Sequence, residues 1–256
     1  MIEYPEGTPS WVDLSSTDLD ASAGFYGGLF GWMAGEDRGG YRMFTLDGAE
    51  VAGLGPAQPG QPSAWNTYVA VDDVDATREK VEAAGGSTVM GPLQVMDAGT
   101  MAIFTDAAGG AFWAVWQANR HRGAQLVNAP GALTMNELDT RDFEGAARFY
   151  GQVFGWDVAP VEADGAVQYG AFRLGGRLVA GILPMGEGFP PDVPPHWVPY
   201  FGIDDLEAGS GKAQELGGQL LMGPTQVPEG RFVALMDPQG AVFRLWEGSY
   251  DPPPGS

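Results

Sequence analysis

The chain has 256 residues, enough for two domains of about 120 residues that each bury a core. Its 33 acidic and 13 basic residues give a formal charge of −20, which disfavours nucleic acid and anionic membranes as partners and fits either simple solubility or steering of a cationic ligand. The absence of cysteine excludes disulfides and thiolate sites, and the sequence shows neither a secretion signal nor a membrane-spanning apolar run, so we expect a cytoplasmic protein.

Periodicity in the first half predicts short strands alternating with two helices. Residues 10–16 alternate apolar and polar side chains, as a strand does, and residues 19–30 carry an apolar stripe at helical spacing that ends at Gly31. The later predicted elements are strands near 41–46, 50–54 and 65–71, a helix over 74–84, and strands near 101–105 and 111–117. The order is therefore strand, helix, strand, strand, given twice.

The second half repeats the first. Trp11-Val-Asp-Leu returns as Met135-Asn-Glu-Leu at an offset of 124 residues, whereas Met90-Gly-Pro returns as Met222-Gly-Pro at an offset of 132. The second copy is thus eight residues longer in its loops, and the chain is one domain duplicated. We expect these segments: a first domain over 1–120, a connector over 121–131, a second domain over 132–248 and a disordered tail over 249–256.

Several motifs carry a family resemblance over almost the whole chain: the helix ends Phe25-Tyr-Gly and Phe149-Tyr-Gly, the strand Trp65-Asn-Thr-Tyr-Val-Ala-Val-Asp-Asp73, and the hairpin Asp237-Pro-Gln-Gly-Ala-Val-Phe243. The sequence resembles the vicinal-oxygen-chelate superfamily, which includes glyoxalase I, bleomycin-resistance proteins and extradiol dioxygenases. It is most similar to two-domain actinobacterial glyoxalase-like proteins, including a mycobacterial culture-filtrate antigen. The resemblance implies an α+β fold of two tandem domains, each formed by two βαβββ units that curl into a cup with a divalent metal at its floor.

The metal-ligand positions of that superfamily do not hold metal ligands in this chain. The resemblance places them at Trp11 and Met135, at Ala52-Gly53-Leu54 and Ala180-Gly181-Ile182, at Asn66 and Val198, and at Ala114 and Arg244. Divalent metals need imidazole, carboxylate or similar donors, and Asn66 is the one weak donor in this set. We therefore predict no metal and no other cofactor in either copy.

Strand alternation identifies what lines each cup instead. Residues two apart share a face, which defines a first cup lined by Trp11, Asp13, Asn66, Tyr68, Ala114 and Trp116, and a second cup lined by Met135, Glu137, His196, Tyr200, Arg244 and Trp246. The aromatic residues either fill the cups or stack on a ligand, and Arg244 is expected to pair with Glu137. His196 could transfer protons or simply lie at the edge of a loop, whereas His121 in the connector is assigned no role.

Three functions remain open at this point. The first is a metal-independent protein that binds a small aromatic or cationic molecule, as bleomycin-resistance relatives do. The second is an enzyme, either a lyase, isomerase or oxygenase with unusual metal ligands or a metal-independent acid–base catalyst that uses Glu137, His196 and Arg244 on an aromatic or polyketide-like substrate. The third is an interaction protein with filled cups. We expect a small-molecule partner, a monomer or weak homodimer, binding in the first cup beside the small Ala114, and any proton transfer in the second cup.

Overall fold

The computed structural model describes residues 2–163 and 166–255. Each half of the chain forms one curled eight-stranded sheet with helices packed against it. The first half contains β1 (Pro9–Ser16), α1 (Leu19–Phe30), β2 (Met33–Ala34), β3 (Arg42–Leu46), β4 (Ala49–Pro56), β5 (Ala64–Ala70), α2 (Val74–Ala83), β6 (Ser87–Val95), β7 (Gly99–Thr105) and β8 (Phe112–Ala118). The second half contains β9 (Leu133–Thr140), α3 (Phe143–Phe154), β10 (Asp157–Ala163), β11 (Ala166–Leu174), β12 (Arg177–Pro184), β13 (His196–Gly202), α4 (Leu206–Glu215), β14 (Gln219–Val227), β15 (Gly230–Met236) and β16 (Val242–Gly248).

The two sheets have the same topology. The strand order is β2-β3-β4-β1-β5-β8-β7-β6 in the first and β10-β11-β12-β9-β13-β16-β15-β14 in the second. At each centre, the first strand of the domain pairs in parallel with the last strand of its own unit and antiparallel with the first strand of the next unit. The prediction of two tandem domains, each built from two βαβββ units, is confirmed.

The periodicity alone missed the second strand of every unit. Short β2 has just two residues, and β6 is interrupted by Gly91-Pro92, so neither shows the alternation that identified the other strands of the first half. The elements that the periodicity did predict lie within a few residues of their observed bounds, and the observed bounds of α1 are the predicted bounds. Edge strands with little burial therefore leave the weakest sequence signal.

Each helix begins at an aspartate. Asp18, Asp73, Asp142 and Asp205 each accept a hydrogen bond from the backbone N–H three residues later. These side chains satisfy one of the free N–H groups of the first turn and place negative charge at the positive end of the helix dipole. Because the caps are equivalent in the two halves, α1 and α3 begin at equivalent points of the two sheets. The same holds for α2 and α4.

The two hydrophobic cores are shared between the halves. One core joins α1 and its sheet to Phe243 and Leu245 of the second half, and the other joins α3 and its sheet to Trp113 and Val115 of the first half. A reciprocal pair of hydrogen bonds crosses the same boundary. Tyr26 donates to Asp237 at 3.0 Å, and Tyr150 donates to Asp106 at 3.1 Å. Each sheet is thus made by one half, but each core needs both.

The segment predicted to be a disordered tail makes contacts with the second half of the chain. Asn128 donates to the Asp251 carbonyl at 2.8 Å, and Arg177 donates to the Pro252 carbonyl at 2.6 Å. The exact domain boundaries given above stay predictions, and Ser256 lies outside the described residues. Among the helices described, none has the length and apolar character to cross a bilayer.

Candidate functional site

The floor of the first cup is a buried carboxylate held by neutral donors. Asp13 on β1 accepts hydrogen bonds from Asn66 at 2.8 Å, from Tyr68 at 2.8 Å and from Tyr41 at 3.2 Å. Burial raises the pKa of Asp13, and these three hydrogen bonds oppose that shift. Asn66 also donates to Ser15 at 2.9 Å, so its amide nitrogen is committed to the strand β1 beside it. Three neutral donors of the protein itself therefore bind both oxygens of the carboxylate.

The space expected beside Trp11 is filled by the protein itself, which corrects two expectations. The Tyr41 hydroxyl accepts a hydrogen bond from the Trp11 indole at 3.2 Å. The His121 ring packs edge-on against Trp11, 4.5 Å between ring centroids, and lies 5.7 Å from the ring of Trp116. His121, to which the sequence assigned no role, therefore lies in the first cup. The small side chain of Ala114 does not leave that cup open, because His121 of the connector and Tyr41, just before β3, supply the missing volume.

The second cup contains an ionic network instead. Arg244 on β16 contacts Glu137 through Nη1 and bonds Asp139 Oδ2 through Nη2 at 2.6 Å. Tyr200 accepts from Arg244 at 2.9 Å and donates to Glu137 Oε2 at 3.1 Å. Glu137, Asp139 and Arg244 are each at most 2 % exposed. The predicted Glu137–Arg244 pair is present, and the network extends further than the sequence suggested.

Burial dominates the electrostatics of this network. It raises the pKa of Asp139 well above its ordinary range and lowers the pKa of Arg244 to about 9. Arg244 stays charged at neutral pH, since a guanidinium in contact with two carboxylates keeps its proton. Its guanidinium also lies over the rings of Tyr200 and Phe232, 5.1 and 5.7 Å from their centroids. A fixed cation therefore occupies the floor of the second cup.

His196 lies between this network and solvent. Its Nε2 is 3.6 Å from Asp139 Oδ2, and its side chain is 29 % exposed. Its Nδ1 is 2.9 Å from the Pro194 carbonyl, which can accept but not donate. Burial lowers the pKa of His196, and the hydrogen bond to Pro194 opposes that shift. His196 is the one member of the predicted catalytic set that a ligand could reach without a rearrangement, because Glu137 and Arg244 are enclosed.

Partly buried apolar and aromatic side chains surround the network. Met135 accepts a weak hydrogen bond from the Tyr169 hydroxyl, 3.8 Å from its sulfur. Phe232 pairs in register with Trp246 on the neighbouring strand, and the Trp246 indole donates to the Ser249 carbonyl at 3.1 Å. Both aromatic rings keep some exposure. In contrast to the first cup, whose two tryptophans are buried under the His121 ring, the second cup keeps accessible apolar surface.

Besides His121 and Phe232, the sequence interpretation missed Asp139, Tyr41 and Tyr169. Asp139 follows Glu137 by two positions on β9, so the alternation that selected Glu137 also points to it. Tyr41 and Tyr169 recur at an offset of 128 residues, the same offset that relates Gly53 to Gly181. A Cβ at either glycine would collide with the hydroxyl of the tyrosine beside it, so the glycines make room for the rings. The internal repeat carried this signal, but Tyr41 and Tyr169 are not among the ligand positions that the resemblance identified.

The metal that the family resemblance implies does not fit the residues present. Trp11 bonds Tyr41, Asn66 turns its amide nitrogen to Asp13, and Arg244 adds a positive charge where a cation would bind. Among the described residues, the acidic cluster that could hold a metal is Asp205, Glu207 and Glu247, which lies outside both cups. Arg231 already pairs with Glu207 and Glu247 there. Neither cup therefore offers a donor set for a divalent metal.

Comparison with known proteins places both halves in one group. Residues 8–115 match the Glyoxalase/Bleomycin resistance protein/Dioxygenase superfamily, and residues 135–246 match the glyoxalase-like domain. The candidate glyoxylase CFP32 of Mycobacterium bovis is 44 % identical over 95 % of each chain. The anthracycline biosynthesis protein DnrV of Streptomyces peucetius is 38 % identical over 96 % of this chain and 95 % of its own.

Solved structures agree on the fold. The Mn(II)-bound glyoxalase of Novosphingobium aromaticivorans superposes with a TM-score of 0.68 at 20 % identity, covering 94 % of this chain and 82 % of its own. A variant of homoprotocatechuate 2,3-dioxygenase from B. fuscum gives a TM-score of 0.69 at 15 % identity, covering 98 % and 75 %. With the duplicated βαβββ topology and the matches of both halves, the chain belongs to the glyoxalase/bleomycin resistance protein/dioxygenase superfamily.

Proposed function

We propose that this protein binds a small aromatic or cationic molecule in its second cup without a catalytic metal. One observation carries the proposal: the guanidinium of Arg244 lies between Glu137 and Asp139 at the floor of the cup, at the position that the family resemblance gives to a metal ligand. A divalent cation placed beside it would meet direct repulsion in a site of low dielectric. The fixed charge of Arg244 takes the place of the ion between the two carboxylates.

The second cup is favoured over the first by what remains accessible. Met135, Phe232 and Trp246 are partly exposed, and Met222 on the neighbouring edge strand is 38 % exposed. Aromatic and sulfur-bearing surfaces of this kind suit a flat aromatic ligand, which stacks for about 0.5–1.5 kcal/mol beyond its area burial. The formal charge of −20 adds long-range attraction for a cationic group, which would lie at the rim of the cup because Arg244 repels a cation at its floor. The name of the relative DnrV, an anthracycline biosynthesis protein, is consistent with an aromatic polyketide as ligand.

Two measurements test the proposal. Plasma mass spectrometry of the dialysed protein should find no stoichiometric Zn, Ni, Fe or Mn; retained metal with activity lost to a chelator would overturn the metal-independent reading. Binding of an anthraquinone, followed by tryptophan fluorescence, should weaken about threefold to tenfold in Phe232→Ala. Met101→Ala is the matched control, because Met101 lies opposite Trp116 as Phe232 lies opposite Trp246. A larger effect of Met101→Ala would assign binding to the first cup.

The second candidate function is metal-independent acid–base catalysis in the same cup. The position of His196, reachable by a ligand and 3.6 Å from Asp139, favours it. In that case Glu137 and Arg244 would set the charge around His196, and an aromatic or polyketide-like molecule would be the substrate. A turnover assay that compares His196→Ala with Trp11→Ala separates the possibilities. Loss of activity in the first variant alone supports catalysis in the second cup, and full activity there with loss in Trp11→Ala would place it in the first cup.

A further inference from the structure

The buried network of the second cup is one positive charge short of neutrality. It contains two carboxylates, on Glu137 and Asp139, and one guanidinium, on Arg244, all at most 2 % exposed. An uncompensated charge in such a place is costly, since a buried ion loses most of its solvation. The side chains that face the pair Asp139 and His196 are Glu137, Arg244, Tyr169 and Tyr200, and the two tyrosines are neutral because burial raises the pKa of each. A proton is the charge that these buried groups can themselves bind.

The orientation of His196 shows where that proton lies. Because Nδ1 donates to the Pro194 carbonyl, a neutral His196 turns the lone pair of Nε2 toward Asp139 Oδ2. Two lone pairs facing each other across 3.6 Å repel unless one atom carries a hydrogen. A single proton on either atom removes the repulsion and also brings the network to neutrality, whether the pair is a carboxylic acid with imidazole or a carboxylate with imidazolium.

We propose that Asp139 and His196 together hold one proton at neutral pH and that this pair is the proton donor of the second cup. The partly exposed ring of His196 passes the proton to an oxygen anion of a bound ligand, such as an enolate or a phenolate, forming an O–H bond as the N–H bond breaks. Asp139 is then left as a carboxylate, and solvent returns a proton through His196. The transfer of the proton to a ligand rests on the second candidate function. The presence of the proton on the pair does not.

The first cup supplies an internal comparison. Its positions equivalent to Asp139 and His196 are Ser15 and Ala64, as the strand pairings show. There Asn66 joins Ser15 to Asp13 through neutral hydrogen bonds, and no imidazole faces the carboxylate. The proton site is therefore particular to the second half of the chain, and the duplication has given the two cups different charge.

The test locates the proton spectroscopically in the intact protein, without a ligand. Since the chain has two histidines, His196→Gln assigns the imidazole signals in long-range ¹H–¹⁵N spectra. At neutral pH we expect one of two signals. Either Nε2 of His196 carries the proton, or the infrared spectrum shows a carboxylic-acid band that Asp139→Asn removes. Asp139→Asn should also lower the titration midpoint of His196 by about one pH unit or more, as expected for coupled groups. Asp192→Asn, a change of an exposed carboxylate in the loop before His196, should leave that midpoint unchanged.

A second variant guards against a folding defect in the first. In His196→Gln the imidazole can no longer hold the proton, so the carboxylic-acid band that Asp139→Asn removes should strengthen. The proposal is overturned if the wild-type protein shows neither a protonated Nε2 nor the acid band at neutral pH, or if Asp139→Asn leaves the His196 midpoint in place. Stoichiometric metal in the dialysed protein, or a failure to bind the aromatic ligand, would refute the proposed function without changing these spectra. Failure of the proposed function and failure of the proton proposal can therefore be told apart.

Discussion

At the scale of single residues, the two cups solve one problem with different chemistry. In each, a side chain from another strand of the same sheet joins two side chains that lie two positions apart on the first strand of the domain: Asn66 joins Asp13 and Ser15, and Arg244 joins Glu137 and Asp139. A neutral amide suffices where one carboxylate is present, because two tyrosine hydroxyls complete its hydrogen bonds. Two carboxylates require a full positive charge.

Removing that charge should be severely destabilising. Arg244→Met leaves Glu137 and Asp139 buried without their cation, and breaking a buried pair in this way costs about 3–5 kcal/mol. Urea unfolding followed by circular dichroism measures the loss. Adding Glu137→Gln and Asp139→Asn to Arg244→Met should recover much of it, because no uncompensated charge is left. An Arg231→Met control, which removes a surface network, should lose less, and a similar loss in both variants would contradict the argument.

His121 should make the stability depend on pH. Burial lowers the pKa of this imidazole in the folded state, while the nearby Glu50 carboxylate opposes the shift. The unfolded chain then binds the proton more readily, so the stabilisation is present above the unfolded value of about 6.5 and is lost as the pH falls through the folded value.

Thermal unfolding at several pH values tests this. The free energy of unfolding of the wild type should fall below about pH 6.5, by no more than about 1.4 kcal/mol per pH unit from this residue. His121→Gln should show a weaker fall over the same range. If both proteins lose stability in parallel, the imidazole does not titrate with a lowered pKa.

At the scale of elements, neighbouring glycines of α4 should respond in opposite ways to alanine. A Cβ on Gly209 would lie 2.8 Å from Ile203 Cγ1, whereas a Cβ on Gly211 would meet nothing within 4 Å. We expect Gly211→Ala to stabilise the protein by about 0.5–1 kcal/mol, because alanine loses less backbone entropy in a helix. Gly209→Ala should destabilise it by about 1–3 kcal/mol through overpacking. Urea midpoints at equal slope report both, and a stabilising Gly209→Ala would contradict the packing.

Elements and sites differ in how far the sequence predicts them. The helix α1 was predictable because a glycine ends an apolar stripe at helical spacing, and the ion pair of Glu137 with Arg244 followed from the alternation that puts both side chains on the same face of the sheet. The filled first cup was not predictable, since Tyr41 and His121 come from segments outside the aligned ligand positions. Their approach to Trp11 depends on the path of the connector and on the curl of the sheet, which local patterns do not encode.

At the scale of the whole molecule, the duplication produced two halves that depend on each other. Phe25 and Tyr26 of α1 pack against Phe243 of the second half, and a buried hydrogen bond of 2.9 Å joins Thr67 to Asn136 across the boundary. The reciprocal bonds of Tyr26 and Tyr150 fix the same arrangement from both sides. Neither half can bury its helices against its own sheet alone, so unfolding should be one cooperative transition rather than two.

Separating the halves tests this dependence. Residues 1–126 expressed alone should lack a cooperative transition or self-associate, because the aromatic faces of α1 would be exposed without Phe243 and Leu245. Co-expression with residues 127–256 should give a one-to-one complex that purifies together and restores near-ultraviolet circular dichroism. Tyr26→Phe and Tyr150→Phe test the same dependence in the intact chain. Each removes a buried hydrogen bond to a carboxylate, worth about 1.5–3 kcal/mol. Each variant should therefore shift the midpoint of a single unfolding transition. A monomeric first half that unfolds cooperatively by itself would show instead that the shared cores are a contact between two independent domains.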